Sequence, residues 1–141
     1  MSKAAELIKC IFDKTRLSKS FGQVLKNAKI VSVEDGKVKA ELKICEDHLN
    51  LGGSLHGGYI STLVDCFSTY ALMAYKNSPP GVSVDLHVTF LKPAFCGDVV
   101  IIDAKTVKVG RRLAFLKVKI LKADDGAIVA RGIQTKFIGG D

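Results

Sequence analysis

One acidic side chain stands alone in an apolar segment of this 141-residue chain: Asp65 is the only Asp, Glu, Lys or Arg between Leu55 and Tyr75. An unpaired charge in a protein interior costs several kcal/mol, so such a residue needs a partner or a chemical role. His56-Gly57-Gly58 opens the segment, and a helix N-terminus presents unpaired N–H groups that can polarise an oxygen. An acid and an oxygen-polarising helix end on one element point to acyl chemistry.

The elements that must position these residues follow from the apolar periodicity. Residues 57–75 have the period of a long helix, which Asn77-Ser78-Pro79-Pro80-Gly81 ends, and residues 45–55 have no clear period. The pattern predicts further elements: an N-terminal helix over 3–18, a hairpin of strands 30–34 and 38–44, and strands 82–92, 98–109, 112–122 and 127–138, which we interpret as a four-strand meander.

These elements predict an α+β fold in which a six-stranded antiparallel sheet wraps around a long central helix. The length and the lack of a linker or repeat predict a single domain over residues 1–141.

Composition limits the partners and the compartment. The formal charge of +7 and the pI near 9.3 predict attraction to polyanions. Aromatic residues make up only 7% and do not interleave with the basic residues, which argues against nucleic acid. The four cysteines lack metal-type or redox-type spacing, so we expect reduced thiols and no metal. We expect no signal peptide and no stable membrane insertion. A cytoplasmic location is favoured, while basic residues 1–26 leave a mitochondrial presequence open.

The segment from His48 to Gly58, together with Asp65, resembles the hotdog-fold acyl-CoA thioesterases, in particular the phenylacetate-degradation-type subgroup and its animal relatives. Further matches lie at residues 81–85, 92–94 and 110–115, so the resemblance covers essentially the whole chain. It implies a hotdog fold and the hydrolysis of fatty acyl-CoA, of medium to long chain, to free fatty acid and coenzyme A. Coenzyme A is then part of the substrate, and no other cofactor is expected.

The resemblance also implies a homodimer that forms the active site, doubled to a homotetramer. The catalytic residues that it implies are Asn50, His56, Gly57, Asp65 and Ser83. In this arrangement the Gly57 N–H polarises the thioester carbonyl, Asp65 of the neighbouring subunit acts as general base or nucleophile, and Ser83 positions the water. Residue counting agrees with a two-subunit site: eight residues of helix correspond to about 12 Å of rise, too far for one water to bridge.

Coenzyme A, by the same resemblance, lies along surface segments with many phosphate-binding side chains. The guanidinium and ammonium groups of Lys108, Arg111 and Arg112 suit phosphate. The full set of residues implied is Ser83, Phe90, Leu91, Lys92, Pro93, Ala94, Phe95, Lys108, Val109, Gly110, Arg111, Arg112 and Leu113.

Structural roles remain open for several of these residues. Asp65 could be a carboxylate satisfied by a nearby hydroxyl, the candidates being Ser61, Ser68 and Thr69. His56 could orient the loop around Asn50 rather than touch substrate, and the basic loop could be merely solvated. We expect His48 and His87 on the surface and Cys66 in the core.

Two other functions remain open. The first is a non-catalytic acyl-CoA binding or sensing module on the same fold, against which the intact set of implied catalytic residues argues. The second is dehydration of hydroxyacyl-CoA, which is typically carried out by an Asp paired with a catalytic His in a local motif that this chain lacks.

Overall fold

The computed structural model describes residues 2–139 as two helices and one six-stranded sheet. The elements are α1 (Lys3–Arg16), β1 (Ala28–Glu34), β2 (Lys37–Lys43), α2 (Gly57–Met73), β3 (Val82–Phe90), β4 (Val99–Val109), β5 (Leu113–Lys122) and β6 (Ile128–Phe137). The predicted α+β architecture is confirmed, and each predicted helix and strand is present within a few residues of its expected bounds. Two short 3₁₀ turns, Phe21–Leu25 and Glu46–His48, were not anticipated.

The strand order corrects the prediction of a four-strand meander. All neighbouring strands are antiparallel, and the order across the sheet is β1-β2-β4-β5-β6-β3. Only β4, β5 and β6 form a meander, because β4 pairs with β2 and β3 pairs with β6. Between β2 and β3 the chain therefore passes through α2 to the opposite edge of the sheet, and from β3 it returns to β4 beside β2. This connection makes β3 an edge strand.

Helix α2 packs across the inner face of the sheet, with contacts to β2, β3, β4, β5 and β6. Its buried apolar side chains include Leu63, Val64, Phe67 and Ala71, all of which are fully buried. On the sheet side, Gly132 in β6 gives the helix room, because a Cβ there would lie 2.6 Å from Val64 Cγ1. The close packing of α2 against β6 fixes the distance between the helix and this strand, which neighbours the edge strand β3.

Helix α1 packs against β1 and α2. Its N-terminus is capped by the Ser2 hydroxyl, which accepts a hydrogen bond from the Ala5 N–H at 3.1 Å. Ile8 and Phe12 are buried, and the Phe12 ring packs edge-on against Tyr70 of α2 with centroids 5.9 Å apart. Neither helix in the described part of the chain has the length and hydropathy that a membrane span requires.

Strand β3 is unusual because most of it is exposed on both faces. Val82 and Val84 are 64% and 56% exposed, and Phe90 at the other end is 55% exposed. An apolar edge strand with free N–H and C=O groups is a template for pairing with another strand. The fold therefore leaves one long, apolar pairing edge open.

Replacing Gly132 by alanine should destabilise the fold, because the new methyl group would overlap Val64 within a packed core. We expect the free energy of unfolding to fall by about 1–3 kcal/mol, measured by urea denaturation. Gly110→Ala is the matched control: its Cβ would meet nothing closer than the Leu113 carbonyl oxygen at 3.4 Å. We expect the control to change the free energy by less than about 0.5 kcal/mol; equal losses in the two variants would contradict this account of the packing.

Candidate active site

A cleft of about 410 Å³ lies at the N-terminus of α2, between the helix and the segment that follows β3. It brings together six residues that the sequence analysis assigned to the site, namely Asn50, Gly57, Phe90, Leu91, Lys92 and Pro93. Ser54, Leu55 and Ile60 complete the lining. One chain thus places the predicted oxygen-polarising helix end beside one of the two predicted coenzyme A segments.

Gly57 is the first residue of α2, and its N–H has no hydrogen-bond acceptor among residues 2–139. The N-terminus of a helix carries a partial positive charge, which favours an oxygen that gains negative charge. A Cβ at Gly57 would lie 3.2 Å from the Phe90 ring. Glycine is needed here because the phenyl ring already occupies the space beside the backbone, and this leaves the N–H accessible from the cleft.

His56 caps α2. Its Nδ1 accepts a hydrogen bond from the Gly58 N–H at 2.8 Å, and its carbonyl accepts one from the Ile60 N–H at 2.9 Å. The neutral ring then carries its proton on Nε2, which can donate to a ligand. The imidazole therefore orients the helix start rather than the loop around Asn50, and its outer nitrogen stays available.

Asn50 is held by a tight loop that the sequence analysis did not resolve. Its side-chain Nδ2 donates to Ser54 Oγ at 3.0 Å, and its Oδ1 accepts from the Ser54 N–H at 3.1 Å. Two backbone hydrogen bonds, from Asn50 N to Ser54 O and from Gly53 N to Asn50 O, close the same loop. Ser54 therefore fixes the Asn50 amide at the wall of the cleft.

Asp65 lies two turns further along α2 and is half-buried. The hydroxyls of Ser68 and Thr69 donate to the Asp65 backbone carbonyl, at 3.1 and 2.8 Å, and Ser61 donates to the carbonyl of Gly57. None of the three hydroxyls binds the carboxylate. Within residues 2–139 no side chain forms a hydrogen bond or ion pair with it, so the acid is left free to act on another group.

Gln134 joins Ser83 to the helix that carries Asp65. Ser83 Oγ donates to Gln134 Oε1 at 2.6 Å, while Gln134 Nε2 donates to Ser68 Oγ at 2.7 Å and to the Asp65 carbonyl at 3.3 Å. Gln134 is fully buried, so its amide orientation is fixed by these partners. Sequence reasoning missed it, because Gln134 lies on the inner face of β6 while its neighbour Ile133 points outward.

Lys136 is a second buried polar residue of β6 that the sequence analysis missed. It lies directly opposite Ser83, is 5% exposed, and donates from Nζ to Thr69 Oγ1 at 2.7 Å. Burial lowers the pKa of the Lys136 ammonium, and the negative charge of Asp65 opposes that shift. The Lys136 side chain therefore lies close enough to the Asp65 carboxylate for the two groups to interact electrostatically.

Cys66 adjoins Asp65 and is the remaining titratable group of this region. The pKa of the Cys66 thiol is raised to about 11, chiefly by burial and also by the Asp65 charge, while Lys136 opposes the shift. At neutral pH the thiol keeps its proton and is a poor nucleophile. The structure therefore supports the expected role of Cys66 as a packed thiol.

The predicted site residues fall into two groups within one chain. Asn50, His56 and Gly57 lie at the N-terminus of α2, whereas Asp65 and Ser83 are joined through Gln134 further along the helix. The basic loop that includes Arg111 and Arg112 is at the far end, where the Ile138 N–H donates to the Arg112 carbonyl. Leu72, near the C-terminus of α2, packs with Ala114 and Val109 at that end. A single subunit does not bring these groups together.

The prediction that His48 lies on the surface is wrong, whereas His87 is exposed as expected. The His48 ring is 3% exposed, stacks on Tyr59 with centroids 4.5 Å apart, and accepts the Cys45 N–H on Nδ1 at 3.0 Å. Its carbonyl accepts the His56 N–H at 2.8 Å. Burial lowers the pKa of the His48 imidazole, so the ring is neutral and serves to attach the loop to α2.

No cluster of three or more His, Cys, Asp or Glu side chains within residues 2–139 is arranged to hold a metal ion.

Comparison with known proteins agrees with the fold and shows the family. The family model described as Thioesterase superfamily matches residues 52–129. Human acyl-coenzyme A thioesterase 13 is 41% identical over 122 residues, which are 86% of this chain and 87% of that protein. Zebrafish thioesterase superfamily member 2 has 40% identity and a TM-score of 0.93, covering 98% of this chain and 100% of that chain. A hypothetical thioesterase from Streptococcus pneumoniae, determined with coenzyme A, has 29% identity and a TM-score of 0.76, covering 82% of this chain and 88% of that one.

The Cys66 thiol predicts a pH dependence of stability. The folded thiol has a pKa of about 11 against an ordinary value of 9.0, so its contribution is complete below pH 9 and is lost as the pH rises through 11. We expect the free energy of unfolding to fall over this window by about 2–3 kcal/mol more in the wild type than in Cys66→Ala. Urea denaturation at a series of pH values measures the difference. Cys10→Ala, at an exposed cysteine, should keep the wild-type profile; a Cys66→Ala profile parallel to that of the wild type would contradict the prediction.

Proposed function

The chain belongs to the thioesterase superfamily, and we propose that it hydrolyses fatty acyl-CoA of medium to long chain at a site formed by two subunits. The reaction would yield a free fatty acid and coenzyme A. The human relative named acyl-coenzyme A thioesterase 13 supports the substrate class. Leu55, Ile60 and Phe90 give the cleft an apolar wall against which an acyl group can pack.

The observation that carries this proposal is the position of the two half-sites relative to the open edge of β3. Phe90, which packs on Gly57, stands at the end of the strand, and Ser83 stands near its beginning. Seven residues of strand separate them by about 24 Å. A two-fold axis pairs a strand with its own copy in the antiparallel direction. Such pairing of β3 sets the Phe90 end of each subunit beside the Ser83 end of its partner.

This arrangement assembles a complete site from two incomplete ones. The Gly57 N–H and the helix end of one subunit would face Asp65 and Ser83 of the partner subunit. The basic loop of the partner would also approach, because Arg112 lies at the same end of the sheet as the beginning of β3. We therefore propose a homodimer as the smallest active unit, and a dimer of dimers as its further assembly.

The chemistry follows from the charges at each position. The Gly57 N–H would donate to the thioester carbonyl, whose oxygen becomes negative when a nucleophile adds to the carbon. A donor fixed in advance at such an oxygen contributes about 3–4 kcal/mol to catalysis. The tetrahedral intermediate then collapses, the carbon–sulfur bond breaks, and coenzyme A leaves as a thiolate that takes up a proton.

Asp65 would act in one of two ways. As general base it takes a proton from the attacking water and passes it to the leaving thiolate; as nucleophile it forms a mixed anhydride, which water then hydrolyses to the free acid. Both require an ionised carboxylate. The Lys136 side chain lies nearby, and no described hydrogen-bond donor occupies the carboxylate oxygens. Ser83, oriented by Gln134, would hold the water in place. Hydrogen bonds hold the side chains of Asn50 and His56 in fixed orientations, which suits them to positioning the thioester.

Mixed dimers test the two-subunit site. Gly57→Val would crowd the Phe90 ring at the helix N-terminus, and Asp65→Asn removes the charge, so each homodimer should lose at least about 100-fold in kcat. Heterodimers of the two variants, isolated with two affinity tags, should recover about half the wild-type rate per dimer, since one of the two sites combines the intact halves. The assay is release of free thiol from acyl-CoAs of short, medium, long and aromatic acyl groups.

Two results would count against this account. A heterodimer as inactive as its parents, with unchanged thermal stability, would place the whole site within one chain. Tight binding of acyl-CoA by the wild type without thiol release at any chain length would favour the binding module instead. Ser61→Ala is the matched control on the same helix and should keep at least about half the activity, because its hydroxyl bonds only the Gly57 carbonyl.

The basic loop makes a separate prediction. Exchange of Arg111 and Arg112 for alanine should raise KM about tenfold and change kcat by less than about twofold, because phosphate contacts stabilise bound substrate and transition state alike. The control pair is Lys3→Ala with Lys14→Ala, two exposed lysines of α1. A loss confined to kcat would contradict a phosphate-binding role.

A further inference from the structure

The outer face of the sheet, away from α2, has a concentration of positive charge that the proposed reaction does not use. Five exposed lysines form it and are called here the lysine face: Lys37, Lys39, Lys105, Lys117 and Lys119. They line a groove of about 350 Å³ together with Ser32, Glu34, Val38 and Asp103. The groove shares no lining residue with the cleft at Gly57.

The lysines are in register across three neighbouring strands. Lys37 of β2 is directly opposite Lys105 of β4, and Lys105 is directly opposite Lys117 of β5. Three ammonium groups therefore stand side by side in one row, and Glu34 of β1 is opposite Lys37 at the end of that row. Like charges that are directly opposite on one face of a sheet destabilise it. This row lowers the stability of the isolated protein, which calls for a compensating role.

The second row adds charge beside the first. Lys39 and Lys119 flank Asp103, and Arg131 of β6 lies opposite Lys119. One carboxylate thus stands among three cations. Among residues 2–139, the ion pairs closer than 4 Å are Arg16–Asp13 and Lys122–Asp98, and neither involves the lysine face. Glu34 and Asp103 are the two carboxylates of the groove, so the five lysines and Arg131 leave this surface with a net positive charge.

Protection of a sheet edge does not explain these lysines. Edge strands often carry lysine to prevent pairing with other chains. Here the lysines lie on β2, β4 and β5, which are all interior strands with a neighbour on each side. The outward residues elsewhere on the same sheet are different in character, since Phe115, Ile133 and Phe137 are exposed apolar residues. The charge is a local feature rather than a general property of the outer face.

The spacing fits clustered phosphates. Neighbouring strands are about 4.8 Å apart, so the row from Lys37 to Lys117 spans about 10 Å, and the two rows lie about 7 Å apart along the strands. Ammonium groups bind phosphate as point charges without strict geometry. A second copy of the same face is a poor occupant, since it would bring a second set of cations against the first. A small anion with several closely spaced negative charges matches both the spacing and the positive charge of the lysines.

We propose that the lysine face is a binding site for a ligand with two or more adjacent phosphate groups, separate from the active site. The adjacent phosphates are the recognised chemistry, and they occur in soluble polyphosphates and nucleotides as well as in phosphorylated lipid headgroups. Binding would neutralise the lysine row and so stabilise the fold.

Inorganic tripolyphosphate is the probe for the test, titrated by calorimetry at fixed ionic strength. The double variant Lys105→Gln with Lys117→Gln should lose at least about tenfold in affinity, because it removes two of the three charges of the row. The control, Lys3→Gln with Lys14→Gln, changes the net charge equally and should stay within about twofold of the wild type. Equal losses in both variants, or no binding by the wild type at millimolar probe, would overturn the proposal.

A charge reversal separates loss of binding from loss of folding. Lys105→Glu places an acid between Lys37 and Lys117, so the Tm of the protein without ligand should rise while tripolyphosphate binding is lost. In the wild type the probe should raise the Tm, and in this variant it should not. A variant with unchanged Tm and unchanged binding would overturn the proposal.

Vesicles distinguish the two sources of phosphate. Phosphatidylcholine vesicles with and without a phosphoinositide bisphosphate are sedimented with the protein, in the presence and absence of tripolyphosphate. Tripolyphosphate binding without sedimentation supports a soluble ligand. Sedimentation that depends on the phosphoinositide and is lost in the double glutamine variant supports a headgroup. Sedimentation equal in the wild type and in that variant would contradict the assignment to the lysine face.

Discussion

The packing of α2 against the inner face of the sheet is the interaction on which the rest of the molecule depends. The helix is buried along most of its length, and its apolar residues form the centre of the core. A helix held this firmly fixes the direction of its N-terminus to within a small angle. The group at Gly57 that we propose polarises the substrate oxygen is a backbone N–H and has no rotamer to adjust. Its position is therefore only as accurate as the packing of Phe67 and Val64 several turns away.

The same packing explains why polar groups are buried beside Asp65. Gln134 and Lys136 occupy inner positions of β6 that an apolar residue could fill at lower cost, since buried polar groups must be paired to be tolerated. Each is paired with a hydroxyl of α2, at Ser68 or Thr69. These bonds tie β6, the strand next to the open edge, to the helix at the level of the acid. A chain that accepts this cost gains fixed orientations for Ser83 and for the charges around Asp65.

The sequence was sufficient for most of the architecture and for only part of the site. Strands and helices have local signals, such as the alternation of lysines with apolar residues in β2, and these were predicted within a few residues. Strand order depends on pairing between distant segments, so the contact of β3 with β6 could not be predicted from periodicity. Gln134 was missed because polar residues in an alternating strand are normally assigned to the solvent face. His48 was misplaced because its stacking on Tyr59 depends on a loop without periodicity.

The exposed edge of β3 also bears on the life of a newly made subunit. Residues 82–90 contain no proline, several β-branched residues and a single carboxylate, at Asp85, a composition prone to amyloid-like stacking when left unpaired. Encounter of two subunits is second order, so a chain made at low concentration keeps this segment exposed for longer. Asp85 occupies the position of a gatekeeper, a charge that discourages stacking of identical strands. The strand that pairs in the proposed dimer is therefore also the segment with the greatest tendency to aggregate while it is unpaired.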